Sequence, residues 1–261
     1  MAADLSPIEK AKFAASKRAV DFVTDGMKVG LGTGSTAAWM VRCLADRVRE
    51  EGLKLTCVAT STRTADLARS LGLTVVALEE ARWLDLTIDG ADEADGQLSL
   101  IKGGGAALLQ EKIVATASDR MIVIADAAKQ VHALGAFPLP VEVIPFGWIA
   151  TARLIEEHLA AQDVLGHDIR LRMNGDRPLR TDENNYILDL HLKRIGNPRA
   201  LALMLNQIAG VVENGLFIDI CDTLVLGHPD GRVEVIADDG ARSEGRVDIA
   251  ASANIFSDLG D

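Results

Sequence analysis

Asp89, Asp92, Lys102 and Glu111 put three carboxylates and one ammonium into one short stretch, Leu86-Thr-Ile-Asp-Gly-Ala-Asp-Glu-Ala followed by Ile101-Lys-Gly-Gly-Gly-Ala-Ala-Leu-Leu-Gln-Glu-Lys-Ile. A positioned carboxylate can move a proton on and off carbon, and a nearby ammonium can carry charge that develops on oxygen. The set suits proton shuffling on a small polyhydroxylated substrate. Glu111 needs surroundings that lift its pKa from about 4.3 toward neutrality, through burial or neighbouring carboxylates. Leu108-Leu109 and Ile113-Val114 are compatible with partial burial. A plainer arrangement, Glu111 paired with Lys112 on a solvated helix face, fits the same residues, and composition does not separate the two. Asp89 and Asp92 also fit a turn with an Asp N-cap, or a divalent-metal cluster with Glu93 and Asp95. Lys102 and the lack of a histidine in the cluster speak against a metal, but carboxylates and waters alone can hold Mg²⁺.

A second group precedes this one. Gly30-Leu-Gly-Thr-Gly-Ser-Thr lies between a strand and a helix and has Thr36 where a dinucleotide fingerprint would end in glycine. A ribose-binding acid is expected about 20 residues further on; Glu50 and Glu51 fall at the end of the next helix instead. The turn of Gly32 and Gly34, the hydroxyls of Thr33, Ser35 and Thr36, and the amides of the helix start favour a cradle for one phosphate. Lys12 alone reads as a solvated helix charge, whereas Lys129 gains interest from following a strand end. His132, His158, His167, His191 and His228 are dispersed and receive no role. Ser35 and Ser61 lack a nucleophile-elbow context, which disfavours acyl transfer.

The elements that must position these groups read as alternating strand and helix. Ser6-Pro7-Ile8-Glu9 fits an N-cap with Pro at the first helical position. The helix runs to about Val23. Strands are expected at 28–31, 55–59, 75–77, 83–88 and 120–125, with helices at 37–50, from Arg63 to Leu71 and from about Ala106. The strands are nearly continuous apolar runs, as in a parallel sheet covered on both faces. Asp89 and Asp92 then fall at a strand's carboxyl end, where open α/β sheets bind ligands.

Pro138, Pro140 and Pro145 change the rhythm. Strand 141–144, helix 147–160, strands 169–173 and 186–192, helix 197–209 and strand 211–217 follow, the β-α-β-β-α-β order of a ferredoxin-like unit. Strand-like 222–226 and 233–236, joined by Pro229-Asp-Gly, return to the first fold. The expected architecture is a Rossmann-like, mostly parallel sheet with helices on both faces over 1–134 and 216–261, with a ferredoxin-like α+β domain inserted at 135–215. In the acidic tail, 247–251 reads as strand-like or as a contact.

A chain of 261 residues that is 48% hydrophobic can build such a core. Its formal charge of -11 argues against nucleic acid, because no basic stripe offsets it. Cys43, Cys57 and Cys221 lack metal or redox spacing. The sequence carries neither a membrane-length apolar run nor a signal-like start, so a cytoplasmic protein with no membrane partner is expected.

With these residues in hand, the chain closely resembles the type A family of ribose-5-phosphate isomerase. The resemblance rests on Gly32-Thr-Gly-Ser-Thr, Asp89-Gly-Ala-Asp-Glu, Lys102-Gly-Gly-Gly-Ala-Ala-Leu with Glu111-Lys112-Ile113, Ile124-Ala-Asp with Lys129-Gln130, and Phe137-Pro-Leu-Pro-Val-Glu-Val. It spans about residues 8–236. It implies interconversion of D-ribose 5-phosphate and D-ribulose 5-phosphate through a cis-enediolate, without metal or organic cofactor. It assigns Glu111 as general base and Asp89, Asp92 and Lys102 to the sugar hydroxyls and ring opening. Thr33, Gly34, Ser35 and Thr36, with Lys12 and Lys129, match the phosphate side, and Gly103, Gly104 and Gly105 match a turn against the substrate. It also implies a homodimer or homotetramer. Ala128 stands where a serine is often found, and the tail past about residue 238 exceeds the family pattern. A sugar-phosphate sensor without catalysis is the main rival; the helix-turn-helix and basic surface expected of such a regulator are not visible. An amino-sugar phosphate deaminase or a coenzyme A transferase would need a histidine arrangement or a glutamate nucleophile motif not apparent here.

Overall fold

The computed structural model describes residues 5–249. Their contacts gather into two compact units, one running to Gly90 and including Ile113–Lys129 and the chain from Cys221, the other comprising Ala91–Lys112 and Gln130–Ile220.

In the first unit, seven described strands form one sheet in the spatial order Arg242–Arg246, Arg232–Ala237, Thr223–Gly227, Met121–Asp126, Leu86–Gly90, Lys28–Leu31 and Thr56–Ala59. The last five are parallel, and the first two add antiparallel at one edge. The parallel strands are apolar because both faces are covered: Val29, Leu31, Ile88, Ile122, Ile124 and Val225 share a core cluster with helix residues Phe13, Trp39, Met40 and Leu44, and on the other face Val58 clusters with Val114. Ser6 caps helix Pro7–Ala19 by accepting from the Glu9 amide, with Pro7 at the first helical position. Phe13 meets Trp39 of helix Ser35–Glu51 edge-on, ring centroids 5.7 Å apart. The outer strand Arg242–Arg246 is wholly exposed and rich in charge, which discourages further strand pairing at that edge. Just beyond it, Val247 and Ile249 pack against the core of their own unit. Ala250 and Ala251, read with them as one contact segment, lie outside the described residues.

The second unit carries a four-stranded antiparallel sheet in the order Val211–Asn214, Leu139–Val143, Tyr186–His191 and Asp168–Leu171. With helices Trp148–Leu159 and Pro198–Leu205 between strands, this is the ferredoxin-like arrangement. Leu139, Val141 and Val143 alternate into its core with Ile155, Leu188, Leu190 and Leu201. A further small sheet orders Leu216–Phe217, Leu100–Ile101 and Glu93–Ala94. No helix among the described residues is long and apolar enough to cross a membrane.

Three local readings change. Residues 75–77 do not form a strand; Val75 makes one bridge to Cys57 before the short helix Leu78–Ala81. The helix expected from Ala106 begins at Leu108, because Ala106 is left-handed at φ 61° and closes a turn onto the Gly103 carbonyl. The strand expected over 211–217 breaks at Gly215 and changes sheets. A Cβ there would lie 2.3 Å from the Lys102 carbonyl oxygen, so only glycine lets the two backbones approach this closely.

Candidate active site

In the first unit the parallel register sets four strand ends side by side. Leu31 pairs with Ile88, Gly90 with Ile124, and Asp126 with Gly227. Gly32 donates its amide to the Ile88 carbonyl at 3.0 Å as the chain leaves the sheet. Asp89 is fully buried, and its Oδ1 accepts from the amides of Thr33 (3.0 Å) and Gly90 (2.7 Å). Gly34 forms the N-cap of helix Ser35–Glu51, so the helix's first amides open beside this loop.

The hydroxyls of this loop divide. The Thr33 side chain turns inward to a buried cluster, 2.8 Å from Thr60 Oγ1 and from Ser61 Oγ, while Ser35 is exposed. Thr33 thus spends its amide on Asp89 and its hydroxyl on the buried cluster, which fixes the loop at the strand end. Lys12 is ion-paired to Glu9 at 2.7 Å, and the other Glu9 oxygen accepts from the Trp39 indole at 2.6 Å, which ties Lys12 to the helix that begins at Ser35. Those bonds hold the Glu9 carboxyl below its ordinary range even though burial pushes it the other way. Lys129 ends the short turn Ala127–Lys129 that follows strand Met121–Asp126 and is partly buried.

In the second unit, Lys102 and Glu111 are 2% and 3% exposed, with Lys102 Nζ 3.3 Å from Glu111 Oε2. Burying one of these charges alone would be costly, so each is held by the other. The Lys102 amide donates to the Gly215 carbonyl at 2.9 Å, and the lysine leads straight into Gly103, Gly104 and Gly105. Asp92 Oδ2 accepts from the Gly104 amide at 2.7 Å. The other acids read as a metal cluster have separate tasks here. Glu93 accepts from the amides of Gly135 and Phe137, and Asp95 from those of Gln97 and Ser99. Among the described residues, no group of three or more His, Cys, Asp or Glu is placed to hold a metal ion.

Three residues to which the sequence reading gives no site role support this group. Arg172 donates to the Gly103 carbonyl at 2.7 Å while paired with Asp189, so it clamps the glycine turn. Lys112 donates to Glu213 at 2.9 Å and to the Asn214 carbonyl at 2.7 Å, and burial lowers its pKa against the pull of Glu213. Phe217 is fully buried beside both lysines. No sequence spacing reveals these, because each depends on a strand that pairs far along the chain.

Glu142 is a buried carboxyl in the same unit, opposite Glu213 across the sheet and accepting from Thr181 (2.8 Å) and Asn185 (2.9 Å). Burial pushes it above its ordinary 4.5, against those hydrogen bonds. The folded protein thus holds this proton more tightly than the unfolded chain. The resulting stabilisation is complete below about 4.5 and is lost as pH rises through the higher folded value. Glu142→Gln is expected to remove that dependence, so the variant's Tm relative to the parent's climbs as pH rises from about 4 to about 8. Thermal melts across that range check it, and a Tm difference that stays constant with pH contradicts it.

The fold and these groups define a Rossmann-like α/β protein with a ferredoxin-like unit, a glycine–threonine loop at a strand end and a buried lysine–glutamate pair. A profile of the family described as ribose 5-phosphate isomerase A (phosphoriboisomerase A) matches residues 56–231. The ribose-5-phosphate isomerase A of Cereibacter sphaeroides is 72% identical over 262 residues, covering all of both chains. A D-ribose-5-phosphate isomerase solved in complex with phospho-erythronic acid superposes with a TM-score of 0.82 at 37% identity, covering 89% of this chain and 100% of that one. The ribose 5-phosphate isomerase A of Methanocaldococcus jannaschii gives 0.79 at 38% identity, covering 87% and 97%. The chain belongs to the ribose 5-phosphate isomerase A family.

Proposed function

We propose that the chain interconverts D-ribose 5-phosphate and D-ribulose 5-phosphate with Glu111 as the general base. The observation that carries this reading is the buried Lys102–Glu111 pair at 3.3 Å, a base and a cation shielded together from water. Thr33, Gly34, Ser35 and Thr36, with Lys12 and Lys129, take the phosphate, whose binding energy orients the reacting carbons. Asp89 assists opening of the furanose, and Asp92 orients sugar hydroxyls while holding the Gly104 amide. Gly103, Gly104 and Gly105 lay their backbone against the sugar. Glu111 takes the C2 proton of the open aldehyde, Lys102 stabilises the enediolate oxygen, and Glu111 returns the proton to C1. This chemistry asks for no metal or organic cofactor.

A relative of this chain was solved with phospho-erythronic acid. That compound pairs a phosphate with a planar carboxylate, whose two oxygens resemble those of an enediolate. It is expected to compete with ribose 5-phosphate and to bind at least about 10²-fold more tightly, as analogues of the reacting state do. Inhibition kinetics and calorimetry check this. Failure to compete would remove the support for an enediolate and favour a different reaction. The same reading includes a cytoplasmic homodimer or homotetramer, whose mass light scattering measures. Phe146 and Ile149, 89% and 68% exposed at the start of helix Trp148–Leu159, support self-association.

A further inference from the structure

We propose that Phe217 is a positioning residue for the isomerisation, its ring holding the Lys102 ammonium charged and in place as the negative enediolate forms. The inference rests on the isomerase reading given above. It starts from the strand break at Gly215. Past that point the chain joins Leu100–Ile101, pairing Leu216 with Ile101 and Phe217 with Leu100, while the Gly215 carbonyl accepts from the Lys102 amide at 2.9 Å. Gly215 therefore holds the backbone of Lys102, and the two-residue strand that follows it presents an aromatic ring to the lysine's side chain.

The Phe217 centroid lies 5.3 Å from Lys102 Nζ and 4.8 Å from Lys112 Nζ, both within the range of a cation–π contact. Phe217 is 0% exposed, so both contacts are made out of water, where they are strongest. Of the two cations against the ring, Lys102 lies 3.3 Å from Glu111 and Lys112 lies 2.9 Å from Glu213.

The chemistry explains why an aromatic ring suits this position. While Glu111 is ionised, it compensates the buried ammonium. Once Glu111 has taken the C2 proton it is neutral, and Lys102 must then face the new oxygen charge. A carboxylate in place of the ring would also favour the charged lysine, but it would repel the enediolate and compete for the proton. The face of a phenyl ring supports the cation with neither net charge nor a basic site. Lys112 follows Glu111 on the same helix and is anchored to Glu213 and the Asn214 carbonyl. Phe217 thus lies against cations from both the strand end that carries Lys102 and the helix that carries Glu111.

Progressive fluorination of the ring tests the idea, because it weakens the negative face while scarcely changing shape. The series is 4-fluoro-, 3,5-difluoro- and 3,4,5-trifluorophenylalanine at position 217 of the full chain, assayed on ribose 5-phosphate. The expected result is a stepwise fall in kcat, reaching about tenfold for the trifluoro ring, with KM within about twofold and Tm nearly unchanged. Phe217→Leu, which keeps the apolar burial but has no π face, should fall at least as far in kcat. The slope should persist in a Lys112→Gln background. A flat kcat across the fluorinated series would overturn the proposal and leave Phe217 as packing, and a slope that vanishes in that background would transfer the contact to Lys112 and overturn it equally. An inactive parent is a separate outcome, which overturns the underlying isomerase reading before any variant is compared.

Discussion

Glu111→Gln is expected to lower kcat by about 10²–10⁴-fold, the range that a positioned general base supplies. Phosphosugar binding should stay within about threefold of the parent, since KM with kcat split in this way marks a group used in the transition state. The substitution keeps the side chain's shape but removes its charge and its basicity. It also takes away the anion 3.3 Å from a lysine that is 2% exposed. Breaking a buried pair from one side costs about 3–5 kcal/mol, so some loss of thermal stability accompanies the loss of rate. Steady-state kinetics at a temperature where both proteins are folded, with calorimetry of ribose 5-phosphate binding, separate the two effects. Turnover equal to the parent's would remove Glu111 from the role of base.

The second large effect is expected at Gly32. A Cβ at this position would lie 2.0 Å from Asp89 Oδ1 and 2.6 Å from Asp89 Cα, a backbone atom that cannot move without shifting the strand Leu86–Gly90. Gly32→Ala therefore has to displace the carboxylate that accepts from the Thr33 amide and open the loop that begins the next helix. Overpacking of this kind costs about 1–3 kcal/mol of stability. The cost to kcat/KM should be larger, about 10²-fold or more, because small misplacements of positioning groups are amplified in rate. The pattern differs from that of Glu111→Gln, since here substrate binding weakens together with kcat. Kinetics and a thermal melt on the variant check it, and parent-like kcat/KM would show that the close approach to Asp89 is not needed.

Both predictions use residues that the sequence makes visible, and the reason is local. Gly32 to Thr36 and Asp89 to Glu111 lie at strand ends within short stretches, so residue type and spacing nearly determine where they sit. The alternation of apolar strands and helices likewise announces a covered parallel sheet, and the β-α-β-β-α-β order gives the second sheet its spatial arrangement. What stayed hidden depends on contacts between distant segments or on single backbone angles. The left-handed Ala106 delays its helix to Leu108, past two residues that alanine's helix propensity would have included. The strand through 211–217 looks continuous in side-chain pattern, and only the approach of the Lys102 carbonyl to Gly215 reveals why it changes partners. Arg172 reads as one of several surface arginines until the hairpin strand next to it brings the guanidinium onto Gly103 and Gly104. Thr33 was legible as part of a loop at a strand end, but the capture of its amide by Asp89 and of its hydroxyl by Thr60 and Ser61 was not, because these reach it from neighbouring strand ends.

The most direct test of the central claim is the parent protein itself, incubated with ribose 5-phosphate and excess chelator while ribulose 5-phosphate is measured. The account predicts steady turnover that chelation does not reduce. Ribose 5-phosphate that binds but is never converted would contradict it and would make the buried lysine and glutamate parts of a sugar-phosphate sensor.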